Sequence, residues 1–118
     1  MKNNLVYLDL DQDEVYQLIK HYGTLWSTYK CMEEPAELIQ AISKITIAFN
    51  EGESDLLGYR DALQEEMADV FITIKLLQEL YNISNRELQA HINQKMKRNI
   101  GRITQDNGNN DGNTGTKK

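Results

Sequence analysis

Apolar side chains recur every three or four residues in four segments of the chain, which is the period of an α-helix. In the third segment the apolar positions step by 4, 3, 4, 3 and 4 and form a seam of the kind that packs helix against helix. The sequence therefore predicts a long third helix that packs through this seam. The seam consists of Leu63, Met67, Val70, Ile74, Leu77 and Tyr81.

Polar residues and a glycine predict where the first two helices begin and end. Asp11 followed by Glu14 is a capping box for a helix that runs to about His21, and Gly23 ends it. A second helix is predicted from Thr24 to about Asn50. Its apolar positions are Leu38, Ala41, Ile42, Ile45, Ala48 and Phe49.

A second capping box begins the fourth helix. Ser84 is followed by Glu87, and an apolar stripe extends from there to Ile103. Residues 104–118 have no large apolar side chain and many Asn and Gly residues, which predicts a disordered tail. Four helices with short connections and no sheet predict an all-α four-helix bundle over residues 1–103, followed by the tail over residues 104–118.

Composition limits the class of protein. The chain has 118 residues, 13 basic and 18 acidic, which describes one small acidic domain. No apolar run approaches the roughly 20 residues that cross a bilayer, and the first residues have no apolar signal-peptide core. Cys31 is the single cysteine, so a reducing cytoplasm is expected. The acidic balance argues against a surface for duplex nucleic acid.

Acidic residues concentrate in the middle of the chain. Ten carboxylates lie between positions 33 and 69, against only two cations. Glu34 and Glu37 share one face of the second helix, and Glu66 and Asp69 share one face of the third. Each pair borders apolar positions, where an uncompensated charge is costly. One lysine, Lys30, could pair with Glu34 but cannot balance four carboxylates, whereas Mg²⁺ takes carboxylate oxygens as ligands.

Other interpretations of these carboxylates remain open at this stage. They could be ordinary solvated helix charges or partners in salt bridges. A non-catalytic helical module could also use the acidic face to recruit a basic partner. A di-metal oxidase is disfavoured, because neither His21 nor His91 stands in the Glu-x-x-His pair that a ferritin-like bundle uses.

The two acidic motifs resemble the EExxE…ExxD pattern of the MazG-like, all-α nucleoside triphosphate pyrophosphohydrolases. Residues 33–37 read EEPAE, and residues 66–69 follow after 28 intervening residues and read EMAD. A basic segment with Lys95 and Asn99 extends the resemblance, which covers roughly residues 21–102. The family resemblance implies a four-helix unit, assembled as a homodimer or homotetramer, that uses Mg²⁺ to split a nucleoside triphosphate into monophosphate and pyrophosphate.

The resemblance also implies roles for individual residues. Glu34, Glu37, Glu66 and Asp69 would be metal ligands for Mg²⁺, with Mn²⁺ as a possible substitute. Glu33 would orient the attacking water and so be catalytic.

Pro35 departs from the family pattern, because proline removes a backbone donor and disfavours helical geometry at Glu34. The second helix is expected either to kink at Pro35 or to restart there, with Glu34 then acting as a cap. The kink is favoured, because Cys31, Glu34 and Leu38 keep helical register across the proline.

Four further residues, three polar and one aromatic, are candidates for substrate binding. Lys95, Asn99 and Arg102 lie near the azimuth of the apolar stripe on the fourth helix, where cations could meet phosphate oxygens. The alternative is that these cations complement the negative end of the helix. Trp26 could stack on a nucleobase, or it could be a core aromatic.

A homo-oligomer is also expected from the third helix alone. Outside the seam, further apolar side chains point in other directions, and four helices of this length cannot cover them all. These side chains are Phe71, Ile72, Leu76 and Leu80.

Overall fold

The computed structural model describes residues 7–110, which contain four α-helices and no strand. The predicted all-α class with four helices is confirmed. The helices are α1 (Gln12–Tyr22), α2 (Thr24–Asn50), α3 (Leu57–Tyr81) and α4 (Asn85–Asn110). No helix in this described range is long and apolar enough to cross a membrane. The chain divides into two compact units after Asn82, so α1, α2 and α3 are described apart from α4.

The junction between α1 and α2 is made by one glycine. Gly23 has a positive φ of 94°, a conformation that glycine adopts without steric cost. Its N–H donates to the Ile19 carbonyl at 2.7 Å, and its own carbonyl accepts from the Ser27 N–H at 3.1 Å. At the other end of α1, the Asp11 side chain accepts from the Asp13 N–H at 2.9 Å, as expected for a helix cap. Gly23 thus ends one helix and begins the next.

The capping box predicted for α4 is present with both of its hydrogen bonds. The Glu87 N–H donates to the Ser84 hydroxyl, and the Ser84 N–H donates to the Glu87 carboxylate, each at 3.0 Å. The end of the helix, however, differs from the prediction of a tail from residue 104. Residues 104–110 continue α4, because extending an existing helix costs far less than starting one. The rest of the predicted tail, residues 111–118, lies outside the described residues.

In the first unit α2 and α3 pack antiparallel, and α1 packs on both. Cys31, in the first half of α2, contacts Thr73 in the second half of α3. Lys44, in the second half of α2, lines a depression together with Tyr59 at the start of α3. The buried core is small, and α1 contributes Val15. The side chain of Gln12 also ties α1 to Glu79 on α3 by a 2.9 Å hydrogen bond. The buried apolar side chains are Val15, Ala41, Ala48 and Leu76, and the buried polar ones are Ser27, Thr73 and Gln78.

The face through which α3 packs is not the predicted seam. Thr73 and Leu76 are buried, whereas Met67 and Tyr81 of the seam are 54% and 66% exposed. The prediction was wrong because α3 is apolar on more than one side, so periodicity alone cannot select the face that meets α2. The face chosen carries Thr73 and the acidic residues next to the seam, and most of the seam is left on the surface.

Pro35 lies inside α2, which is one continuous helix from Thr24 to Asn50. Of the two predicted alternatives, the restart does not occur. Proline lacks the N–H that would bond to the Cys31 carbonyl one turn earlier, so α2 accommodates a missing hydrogen bond at this point. Glu34 and Glu37 therefore stay one turn apart on the same helix, on either side of the proline.

Candidate metal centre

Three carboxylates from two helices meet between α2 and α3. Glu34 and Glu37 of α2 and Glu66 of α3 each offer an oxygen, and these oxygens all lie within 4.8 Å of one another. They are three of the four predicted metal ligands. The fourth, Asp69, is half-buried one turn after Glu66 and lies outside this tight group, although its charge acts on both Glu34 and Glu66.

The group is partly withdrawn from water. The Glu34 side chain is only 13% exposed. One oxygen of Glu34 and one of Glu66 are buried, and neither has a hydrogen-bond partner among residues 7–110. A buried oxygen with no donor is destabilising, and more so when it carries charge.

The same environment raises the pKa of two of the carboxyl groups. Burial is the largest cause of the raised pKa of Glu34, followed by the charges of Glu37 and Asp69, while Lys30 acts in the opposite direction. The pKa of Glu66 is raised for the same first three reasons, with a further contribution from Glu65. Like charges held close together favour the protonated form. In the absence of a cation, therefore, the cluster is electrostatically strained.

One lysine compensates part of this charge. Lys30 Nζ lies 3.7 Å from a Glu34 oxygen, which confirms the predicted pair, and 3.2 Å from Glu33 Oε1. Glu33 is 53% exposed and stands at the edge of the site rather than in the group of three carboxylates. The structure therefore separates Glu33, at the solvent side, from the carboxylates that converge between the helices.

A depression of about 200 Å³ adjoins the cluster, and two of the polar side chains that line it are not among the residues predicted from the sequence. Glu37 and Glu66 line it together with Lys44 from α2 and Tyr59 from α3. Lys44 follows Glu37 by seven residues, and Tyr59 precedes Glu66 by seven, so each pair shares a helix face. That spacing was the available signal. Gln40, Ala41 and Ala62 complete the lining.

An aromatic stack joins the end of α1 to the start of α2, ahead of the acidic residues. The ring of Trp26 stacks on that of Tyr22, with centroids 4.3 Å apart and planes at 22°. Lys30 Nζ lies 5.7 Å from the Trp26 ring centroid, within range of a cation–π contact. Trp26 is half-buried and Tyr22 is half exposed. Lys30 thus contacts both the aromatic stack and the acidic residues.

The predicted phosphate-binding residues are on the other unit. Lys95, Asn99 and Arg102 belong to α4 and their side chains are exposed. They recur every three or four residues and so share a face of that helix. Their role in binding a substrate stays a prediction.

Comparison with known proteins yields no assignment. No protein-family model matches the chain, and no curated protein or solved structure matches it significantly.

The donor set of the cluster fits one class of ligand. Three carboxylates supply only hard, anionic oxygens, which are the ligands of Mg²⁺ and Mn²⁺ rather than of soft metals. Neither histidine is among them, and the lone cysteine, Cys31, donates to the Thr73 carbonyl at 3.4 Å. Such a ligand set could hold a divalent cation and would leave part of the coordination shell to water or phosphate oxygens.

Proposed function

We propose that the chain is a Mg²⁺-dependent nucleoside triphosphate pyrophosphohydrolase of the MazG-like type, which releases a nucleoside monophosphate and pyrophosphate. The observation that carries this proposal is the convergence of Glu34, Glu37 and Glu66, in which Glu34 and Glu66 each have a buried oxygen that lacks a hydrogen-bond donor among residues 7–110. An arrangement that is unfavourable without a cation is a reason to expect one in the functional state.

The cation would be held by Glu34, Glu37 and Glu66, with Asp69 beside them as the fourth ligand, and Mn²⁺ could replace Mg²⁺. When bound, such an ion neutralises phosphate charge and lowers the pKa of a coordinated water. The order and spacing of the EExxE…ExxD residues support the same assignment.

The remaining residues have roles in binding and orientation. Glu33 would orient a water for attack on the α-phosphorus, with pyrophosphate as the leaving group, because it is the accessible carboxylate beside the cluster. Lys44 lines the wall of the depression and would contact phosphate oxygens. Lys95, Asn99 and Arg102 are proposed as further phosphate contacts.

Trp26 is proposed to contact the nucleobase through the aromatic stack that it forms with Tyr22. The working enzyme is proposed to be a homodimer or homotetramer in the cytoplasm, where a single free cysteine is compatible with reducing conditions.

A panel of nucleoside and deoxynucleoside triphosphates incubated with Mg²⁺ tests the proposal. The expected products are monophosphate and pyrophosphate, and orthophosphate as the first product would indicate a different phosphatase. Turnover should be lost in chelator and return with Mg²⁺ or Mn²⁺. If no triphosphate is hydrolysed and Mg²⁺ does not bind, the alternative of a non-catalytic module with an acidic face gains support.

A matched pair of variants links the activity to this site. Glu37→Gln should reduce turnover by orders of magnitude, because it removes one ligand charge while keeping the shape of the side chain. Glu53→Gln changes the same charge in an exposed position of the loop between α2 and α3 and should leave turnover unchanged. Equal activity in both variants would show that the carboxylate cluster takes no part in the reaction.

A further inference from the structure

Lys30 contacts three groups at once. Its Nζ lies 3.2 Å from Glu33 Oε1, 3.7 Å from Glu34 Oε2 and 5.7 Å from the ring centroid of Trp26. Its side chain is 33% exposed, so water still reaches it. Lys30 is therefore a cation at the edge of the acidic site, held there by two carboxylates and an aromatic ring.

The two oxygens of Glu34 have different surroundings. Oε2 pairs with Lys30, whereas Oε1 is buried and has no hydrogen-bond partner among residues 7–110. Glu34 is thus shared between this lysine and the carboxylate cluster that it forms with Glu37 and Glu66. One ammonium group at Glu34 offsets only part of the repulsion among three carboxylates.

The burial of Glu34 gives this ion pair more weight than an exposed pair has. An exposed pair one turn apart on a helix contributes little, because water screens both charges. The Glu34 side chain is only 13% exposed, so its charge is screened less. Lys30 lowers the pKa of the Glu34 carboxyl group, against the effect of burial. In the metal-free protein Lys30 therefore stabilises the ionised form of Glu34.

The effect of Lys30 changes sign when a second cation is present. A divalent cation at the cluster needs the charge of Glu34, and like charges close together repel. The lysine that relieves repulsion in the empty cluster therefore weakens the binding of the ion. Loss of the pair with Glu34 need not detach Lys30, since it also contacts Glu33 and Trp26.

We propose that Lys30 is a built-in competitor of the divalent cation: it stabilises the empty cluster, and it gives up Glu34 when the cation binds while it keeps its contacts with Glu33 and Trp26. The inference rests on the metal site of the proposed function, but it requires neither nucleotide nor hydrolysis. Its consequence is that the protein folds without metal and binds the cation less tightly than the three carboxylates alone would.

Three variants of the full chain test the competition. Lys30→Met removes the ammonium group and keeps an apolar side chain of similar length, whereas Lys30→Arg keeps the charge. The control, Lys20→Met, removes the same charge from an exposed position near the end of α1. Isothermal titration calorimetry with MgCl2 alone gives the affinity for the cation. Melting curves in chelator give the stability of the empty protein and show that each variant is folded.

The two measurements should move in opposite directions in Lys30→Met. Mg²⁺ should bind about threefold tighter or more, because a repelling charge has been removed. In chelator the melting temperature should fall by about 2 °C or more, because Glu34 has lost its counter-ion. Lys30→Arg and Lys20→Met should match the parent in both measurements.

Two other results would overturn the proposal while leaving the proposed function in place. Weaker Mg²⁺ binding in Lys30→Met would show that Lys30 positions Glu34 for the ion rather than competing with it. Unchanged affinity and stability would show that the pair is an ordinary surface contact. A parent that binds no Mg²⁺ would instead overturn the proposed function and this inference together.

Discussion

The carboxylates of Glu34 and Glu66 approach within 4.8 Å of each other, although 32 positions separate the two residues in the chain. Each has a buried oxygen without a hydrogen-bond donor among the described residues. The fold therefore brings like charges together at a place where water cannot fully solvate them. Repulsion between these charges lowers the stability of the metal-free protein, and binding of a cation to them should raise the stability.

Replacement of Glu37 tests this balance through stability. Glu37→Gln keeps the shape of the side chain and removes one of the three charges, so in chelator the variant should melt at or above the temperature of the parent. With Mg²⁺ the order should reverse, because ligand binding stabilises the folded state by RT ln(1 + [L]/Kd) and the variant binds more weakly. Melting curves in the two conditions provide the measurement.

The control for this experiment is Glu53→Gln, at an exposed position of the loop between α2 and α3. Its melting temperature should respond to Mg²⁺ as that of the parent does, and its stability should change by no more than about 0.5 kcal/mol. If Glu37→Gln responds to Mg²⁺ as strongly as this control, Glu37 is not a ligand.

The raised pKa of Glu34 predicts a pH dependence with a definite sign. Above the ordinary glutamate value of 4.5 and up to the raised pKa, the folded state binds more protons than the unfolded state. In chelator the free energy of unfolding should therefore fall as pH rises through this window. Glu34→Gln lacks the titrating group, so its stability relative to the parent should increase across the same window, as measured by urea midpoints at successive pH values. Parallel curves would contradict the raised pKa.

Pro35 provides a test of the continuous α2 helix. Pro35→Ala restores an N–H that can donate to the Cys31 carbonyl, and proline inside a helix costs about 3 kcal/mol relative to alanine. We expect a gain in stability of about 1 to 3 kcal/mol in urea unfolding. The Mg²⁺ response should persist, because Glu34 and Glu37 remain on one face. A loss of that response would show that the proline itself shapes the site.

Lys44 separates substrate binding from metal binding. Lys44→Gln removes a cation from the wall of the depression but none of the carboxylates, so the Mg²⁺ shift in melting temperature should match that of the parent. The ratio kcat/KM for the best triphosphate should fall by about tenfold or more, as expected for loss of a charge-assisted contact to phosphate. Unchanged kinetics would place the triphosphate elsewhere.

Local sequence chemistry predicted the elements of this fold well. The capping residues Asp11 and Ser84 and the terminating Gly23 act within one helical turn, so their hydrogen bonds are already determined by neighbours in the chain. The convergence of Glu34, Glu37 and Glu66 was also predictable, because two motifs were each confined to one helix face.

The sequence did not predict which face of a helix packs against its neighbour. Helix α3 is apolar on more than one side, so its own pattern does not select the face that packs on α2, and the buried Ala41 and Ala48 of α2 carry little weight in a hydrophobic pattern. Lys44 and Tyr59 come from different helices, so their spacing from Glu37 and Glu66 indicates their proximity only once the two acidic motifs are known to converge. The extension of α4 beyond Ile103 contradicts the composition of that segment, which favours disorder.

The short α1 helix covers only one end of the α2–α3 pair, so local opening should differ between the two ends. At about 1.5 Å per residue, α1 is roughly 16 Å long and α2 roughly 40 Å. Helix α1 joins the start of α2 and contacts the end of α3. The other half of the α2–α3 pair, formed by the end of α2 and the start of α3, is therefore not covered by α1. Amide protons of residues 41–50 should exchange with solvent at a lower opening free energy than those at the start of α2. Since Lys44 and Tyr59 lie in this half, a bound nucleotide should slow exchange there even where it is not hydrolysed.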